Sequence, residues 1–184
     1  MSHDEPQRPW PGDPDRAELV RRMIRVDQAG EYGAKRIYAG QLAVLGRGRE
    51  APAIRAMAEQ EARHLETFDR LVAERRVRPT LLQPLWHVAG FALGAATALF
   101  GERAAMACTV AVEEVIDAHY ARQADALGET EPALRRTIEE FRAHELEHKE
   151  TALAHGAEAA PGYALMSAAI KAGSRLAIWL STRL

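Results

Sequence analysis

Four glutamates and two histidines recur in one spacing. Glu31 is followed thirty residues later by Glu61-Ala-Arg-His64, and Glu113 is followed thirty-two residues later by Glu145-Leu-Glu-His148. On an α-helix, positions i and i+3 share a face, so each Glu-x-x-His pair can grip one metal ion. Two lone carboxylates and two such pairs, one element from each of four helices, are the donor set of a di-iron or di-manganese carboxylate centre in a helical bundle. Hard carboxylates with one imidazole per ion suit iron or manganese better than a thiol-seeking metal. All six residues fall on apolar stripes, where a carboxylate without compensating charge is costly; two bound cations would supply that charge.

The same residues admit other readings. His144-Glu145-Leu-Glu-His148 matches H-E-x-x-H, in which two histidines bind zinc and the glutamate acts as general base. That reading leaves Glu31, Glu61, His64 and Glu113 without a purpose. The first copy has Gln60 where the second has His144, so the repeated unit is E-x-x-H, and His144 is expected to stand behind the ligands or to be simply exposed. Glu113 and Glu114 are adjacent candidates. Tyr38 lies seven residues after Glu31 and Tyr120 seven after Glu113, and that register selects Glu113, although Glu114 also has apolar neighbours. Asp27 and Asp117 are candidates to receive the N–H groups of the ligand histidines. His119, Tyr120, Tyr38 and Tyr163 are candidates to line a substrate pocket or carry electrons, with ordinary packing as the alternative for each.

Positioning these groups requires long helices. Asp15 with Glu18 three residues on predicts the start of a helix reaching Leu45, and Gly46 and Gly48 stop it. Its stripe is Val20, Ile24, Glu31, Ala34, Tyr38, Leu42 and Leu45. A second helix begins near Pro52 and ends by Arg78, ahead of Pro79, with Ile54, Met57, Glu61, His64, Phe68 and Leu71 on one face. A helix from about Glu102 to Leu127 carries Glu113. Another, with Thr130 as expected N-cap, reaches about His155 and aligns Leu134, Ile138, Phe141, Glu145, His148 and Ala152. Thr80 to Gly101 holds no Asp, Glu, Lys or Arg, which fits a buried bundle helix or a membrane contact; Gln83, Pro84 and His87 argue against a span. After Pro161-Gly162 a last helix puts Met166, Ala169, Ile170, Gly173, Ala177 and Leu180 on one face, which is the expected lipid-contacting face.

At 184 residues with a formal net charge of -2, the chain has no basic character that would suggest nucleic acid. One cysteine, Cys108, excludes an internal disulfide and a cysteine-based metal site. Few β-branched runs favour an all-α fold. Residues 1–14, with four prolines, are expected to form a disordered tail ahead of one domain over 15–184. The tail has no apolar stretch of a secretory signal, and its acidic residues argue against a mitochondrial transit peptide.

Long segments of the chain resemble the demethoxyubiquinone hydroxylases of ubiquinone biosynthesis. They are Asp27-Gln-Ala-Gly-Glu-Tyr-Gly-Ala34, Arg36-Ile-Tyr-Ala-Gly-Gln41, Arg76-Val-Arg-Pro-Thr80, Pro84-Leu-Trp86, Gly90-Phe-Ala-Leu-Gly94, Ala105-Met-Ala-Cys-Thr-Val-Ala-Val-Glu-Glu114 and the ending Ala177-Ile-Trp-Leu-Ser-Thr-Arg-Leu184. The resemblance covers about Arg21 to Leu184 and implies an all-α, ferritin-like four-helix bundle with additional apolar and amphipathic helices. It implies a di-iron monooxygenase that hydroxylates the benzoquinol ring of a polyprenylated precursor with O2 and two electrons. Two iron ions would be held by Glu31, Glu61, His64, Glu113, Glu145 and His148, with Glu61 and Glu145 bridging. It further implies peripheral attachment to a membrane surface, the expected one being the cytoplasmic face of a bacterial inner membrane. A partner protein that presents the lipid substrate, or a homo-oligomer, is compatible with it. Iron storage and a metal-free membrane-associated bundle are the readings from other classes, separated from it by turnover of a quinol and by metal content.

Overall fold

The computed structural model describes residues 14–184, so the expected tail lies outside the described residues except for Pro14. The first helix, α1 (Arg16–Leu45), starts where Asp15 accepts a hydrogen bond from the Glu18 N–H at 2.7 Å. Glu18 in turn holds Arg21 and Arg22 at 2.9 Å each, favourable charge near the helix N-terminus. The remaining helices are α2 (Ala51–Glu74), α3 (Gln83–Leu99), α4 (Glu102–Leu127), α5 (Pro132–Ala154) and α6 (Tyr163–Arg183), with one 3-10 turn at Ala157–Ala159. Thr130 does not cap α5: Glu131 stands at that position, and the Thr130 hydroxyl donates to the Leu127 carbonyl and accepts from Arg16. Among the described residues there is no strand, and the fold is all-α, consistent with a ferritin-like bundle.

Two helical hairpins, α1–α2 and α4–α5, face each other. Each hairpin brings one lone glutamate and one Glu-x-x-His. Ile24, Phe68, Leu127, Leu134 and Ile138 fill the interior at one end. Tyr38, Ile54, Met57, Met106, Val110 and Ala152 fill it at the other. On every one of the four helices the candidate site residues fall between these two apolar groups. The site is therefore walled by packed side chains along the bundle axis.

The uncharged Thr80–Gly101 segment becomes α3, which lies along the outside of α1. The contact is backbone to backbone. A Cβ on Gly94 would overlap the Ile37 carbonyl, and one on Gly40 would overlap the Phe91 carbonyl; any side chain there would force the helices apart. The inner face of α3 is buried, whereas Leu81, Leu85, Val88, Leu99 and Phe100 face outward. So α3 is neither bundle core nor a span, and no described helix is long and apolar enough to cross a membrane.

The last helix, α6, packs against α4 and α1 beside α3. Trp86 Nε1 donates to Ser181 Oγ at 2.9 Å, which ties α3 to α6. Here the expected orientation is overturned. Ile170 is buried against Cys108, Ala111 and Val112, and Met166 packs beside them. The outward apolar side chains of α6 are Leu165, Leu176 and Trp179. The helix is apolar on more than one face, so periodicity alone could not say which face turns inward.

Candidate metal centre

Glu31, Glu61, His64, Glu113, Glu145 and His148 meet in the interior, each between 1% and 3% exposed. They form two overlapping groups: Glu31, Glu61, His64 and Glu145, and Glu61, Glu113, Glu145 and His148. Within each group one donor atom per residue lies within 4.8 Å of all the others. Glu61 and Glu145 belong to both groups. The arrangement can therefore hold a metal ion, and the donor atoms are hard oxygens with one imidazole nitrogen per group.

Both imidazoles turn Nδ1 toward the carboxylates. His64 Nδ1 is 3.2 Å from Glu145, 3.5 Å from Glu31 and 3.9 Å from Glu61. His148 Nδ1 is 3.1 Å from Glu61, 3.3 Å from Glu145 and 3.8 Å from Glu113. Despite these approaches, His64 Nδ1, His148 Nδ1, Glu61 Oε1 and Glu145 Oε1 have no aligned hydrogen-bond partner. Buried polar atoms are normally satisfied. Four unsatisfied lone-pair atoms converging on one interior are what a cation-binding centre needs.

The electrostatics agree. Burial pushes the Glu61 carboxyl far above its ordinary range, reinforced by Glu145 and Glu31; burial and Glu113 do the same to Glu145. His148 loses basicity to burial but regains more from Glu113, Glu145 and Glu61, and its proton is held up to about 12. Without cations, protons neutralise this interior.

The surrounding contacts cross between the two halves. Tyr38, on the helix of Glu31, donates to Glu113 at 3.0 Å, while Tyr120, on the helix of Glu113, donates to Glu31. Each tyrosine thus orients the lone carboxylate of the other hairpin. His64 stacks on Phe141, ring centroids 4.0 Å apart, which fixes its plane. The outward nitrogens of the histidines also find partners on the opposite helix: His64 Nε2 meets His144 Nδ1 at 3.0 Å, and His148 Nε2 meets Gln60 Oε1 at 3.1 Å.

Several expected roles change accordingly. Asp27 and Asp117 do not receive the histidine N–H groups. Asp27 accepts from Gln123 at 2.8 Å and lies 3.3 Å from His119, whereas Asp117 pairs with Arg142 at 2.6 Å. Glu114 points away from the interior and pairs with Lys171 on α6. His144 stands behind His64 and outside both acid groups, which removes the H-E-x-x-H zinc arrangement. Tyr163 packs near Met106 and Met166, lining neither the centre nor the cavities beside it. His119 and Tyr120 do line the centre's small cavity. Gln60 was not singled out by type, and the signal that could have found it was its equivalence to His144.

That cavity, about 30 Å³, is bounded by Glu31, Glu61, Glu113 and Glu145. Against it lies a larger apolar cavity of about 360 Å³ between α1, α3, α4 and α6. Val26, Gly30, Ala34, Val112, Ile116 and Ile178 line both. The larger one extends past Gly33, Leu93 and Gly173 to Trp86 and Ser181 at the α3–α6 seam.

An all-α bundle with a buried carboxylate–imidazole cluster able to hold a metal ion, beside an apolar cavity, is a helical protein with a candidate metal site. Residues 18–181 match the family described as ubiquinone biosynthesis protein COQ7, and the chain belongs to that family. It is 62% identical over 174 residues to the 3-demethoxyubiquinol 3-hydroxylase of Rhodospirillum rubrum, covering 94% of this chain and 82% of that one. It is 56% identical over 169 residues to the mitochondrial NADPH-dependent 3-demethoxyubiquinone 3-hydroxylase of Homo sapiens, covering 90% and 78%. With the mitochondrial 5-demethoxyubiquinone hydroxylase of Saccharomyces cerevisiae the identity is 43% over 185 residues, covering 91% and 79%.

Proposed function

We propose that this chain is a di-iron monooxygenase that hydroxylates the ring of a polyprenylated demethoxyubiquinol. The observation that carries the reading is the apolar channel sharing six wall residues with the acid–imidazole cavity. Glu31, Glu61, His64 and Glu145 would hold one iron, and Glu61, Glu113, Glu145 and His148 the other. When bound, the metal pair would supply the redox chemistry that couples O2 to ring hydroxylation, one oxygen atom entering the ring and the other leaving as water, with two electrons and two protons consumed overall. The protein's share is positioning. Tyr38 and Tyr120 hold the lone carboxylates, the apolar walls exclude water from the reacting ring, and the channel accepts the prenyl tail.

The glycines of α1 support this. A mid-helix glycine costs roughly 1 kcal/mol relative to alanine. Gly30 and Gly33 nevertheless stand inside α1, and a Cβ at either would meet nothing within 4 Å. Gly30 keeps space open where channel and centre join, and Gly33 does so along the channel. Gly30→Leu is expected to fold at least as stably as wild type and to bind the same iron, while turnover falls by about 10²-fold or more as the ring is displaced. Anaerobic loading with ferrous iron, then O2 and a demethoxyquinol, with mass spectrometry of the product, checks both proteins. A wild-type protein that oxidises iron but adds no oxygen to the quinol would instead support the storage reading, for which the channel has no use.

The channel reaches the α3–α6 seam, and the faces flanking it are apolar and exposed. Leu85, Val88, Leu176 and Trp179 are each more than half exposed. Arg183 lies over the Trp179 ring at 4.2 Å, a pairing suited to headgroup level. This supports a bilayer-facing surface through which the lipid substrate passes from the membrane, with or without a presenting partner. Wild type is expected to float with anionic liposomes, and Leu176→Glu with Trp179→Glu to release it with iron content intact. Met166 and Ile170 face the core, so acidic substitutions there should unfold α6 instead. Flotation unchanged by the Leu176 and Trp179 pair would remove α6 from the contact.

A further inference from the structure

Resting on the reading of the centre as a di-iron site, we infer that Gln60 and His144 set the valence preference of the metal pair, holding it toward the ferrous state by giving both ligand imidazoles uncharged hydrogen-bond acceptors. With Nδ1 of each ligand histidine turned inward, Nε2 carries the proton and must donate outward. Its acceptor is the Gln60 amide oxygen for His148, at 3.1 Å, and the His144 ring nitrogen for His64, at 3.0 Å. Each acceptor is the residue immediately before the shared glutamate of the opposite helix. The two halves therefore use one reciprocal device, in which a five-residue unit supplies two ligands to the site and one support to the other hairpin's histidine.

The chemical consequence follows from charge. Outer partners of ligand histidines tune the metal, and a carboxylate there raises imidazole basicity. A more basic imidazole favours the higher-valent ion. Here no carboxylate occupies either place. Asp27 is held by Gln123 and His119, and Asp117 by Arg142. Glu140 and Glu147 flank His144 on its own helix, and among the described residues no hydrogen bond or ion pair joins either of them to it. The inner carboxylates already bring strong negative charge. Uncharged outer acceptors keep that charge from growing, which would favour the ferrous state of a bound pair.

Gln60→Glu puts a carboxylate in the same shape against His148, and Gln60 and His144 are both partly exposed, so substitution at either is compatible with folding. The test starts by counting iron bound to purified protein loaded anaerobically with ferrous iron, then measures the midpoint potential by spectroelectrochemistry and ferrous affinity by chelator competition. Gln60→Glu is expected to lower the ferrous-to-ferric ratio at fixed potential about tenfold, 59 mV for a one-electron step. His144→Gln, one uncharged acceptor for another, should move it by less than about twofold. Gln60→Ala, which removes the acceptor, should weaken ferrous binding roughly 10–100-fold. A Gln60→Glu potential equal to that of wild type overturns the inference, as does an equal shift in Gln60→Ala and Gln60→Glu, which would make the role one of packing. If wild type itself fails to bind two irons, the reading of the centre falls first, and the iron count shows it before any potential is measured.

Discussion

Glu61→Gln and Glu145→Gln are each expected to stabilise the metal-free protein and abolish turnover. Both carboxyls belong to both donor groups, so losing either one damages both metal positions. Turnover should fall by at least about 10²–10³-fold, the range for removal of a single preorganised electrostatic group, and iron content should fall with it. Stability moves the other way. Burial and neighbouring carboxylates already keep Glu61 and Glu145 protonated far above the ordinary range. An amide at that position keeps the shape without the titration, and it can donate to Glu31 as protonated Glu61 does. A gain of about 0.5–2 kcal/mol in the metal-free state is the usual scale when a functional site is relieved of strain. Chemical denaturation of chelated wild type and variants checks this. A loss of stability would mark these glutamates as ordinary structural partners.

The metal-free protein is also expected to lose stability as the pH rises from about 5 to 8, over an interval where many proteins are near their maximum. Glu61 and Glu145 have folded-state pKa values above the unfolded carboxylate value, so the folded state binds more protons than the unfolded one as pH rises past that value. Each such group contributes stability below the unfolded pKa that is lost as pH rises toward the folded one. His148, held up to about 12, acts in the same direction above its ordinary value of 6.5. Glu31 is shifted downward, by hydrogen bonds that outweigh its burial, and acts in the opposite sense only below about 4.5. Each proton bound in excess by the folded state contributes about 1.36 kcal/mol per pH unit to the slope. For a chain of this size one such proton corresponds to roughly 3–5 °C in Tm per unit. Metal displaces these protons, so the stabilisation from iron should grow with pH and its binding should release protons. Thermal melts of chelated and iron-loaded protein across that range, with proton release followed by a pH indicator, check both signs. A metal-free Tm that climbs with pH would show that the interior carboxyls are ionised.

The two expectations share one cause. Two hairpins close four carboxyls into a space too small for their charge, and the fold tolerates this only with protons or cations present. The channel adds a second local sacrifice, glycines where alanines would make a firmer helix. Both costs sit where the proposed chemistry needs them, while the ends of the bundle are filled by ordinary apolar packing.

By itself the sequence determined the pair of Glu-x-x-His units with their lone glutamates. It also determined the helix limits set by Asp15, Pro52, Gly101 and Pro161-Gly162, because these rest on spacing along one helix and on local backbone preference. The tyrosine register separated Glu113 from Glu114 for a similar reason: both copies carry the same seven-residue step. What only the tertiary structure decided was everything that crosses between helices. Tyr38 serves Glu113 and Tyr120 serves Glu31. His64 is supported by His144, eighty residues away, and His148 by Gln60. No periodicity encodes such a partner, since it depends on how one hairpin is laid against the other. The same holds for α6, whose apolar residues circle the helix. Packing against α4 turned Met166 and Ile170 inward and left Leu176 and Trp179 outside, because only one of its faces could meet the surface that α4 offered.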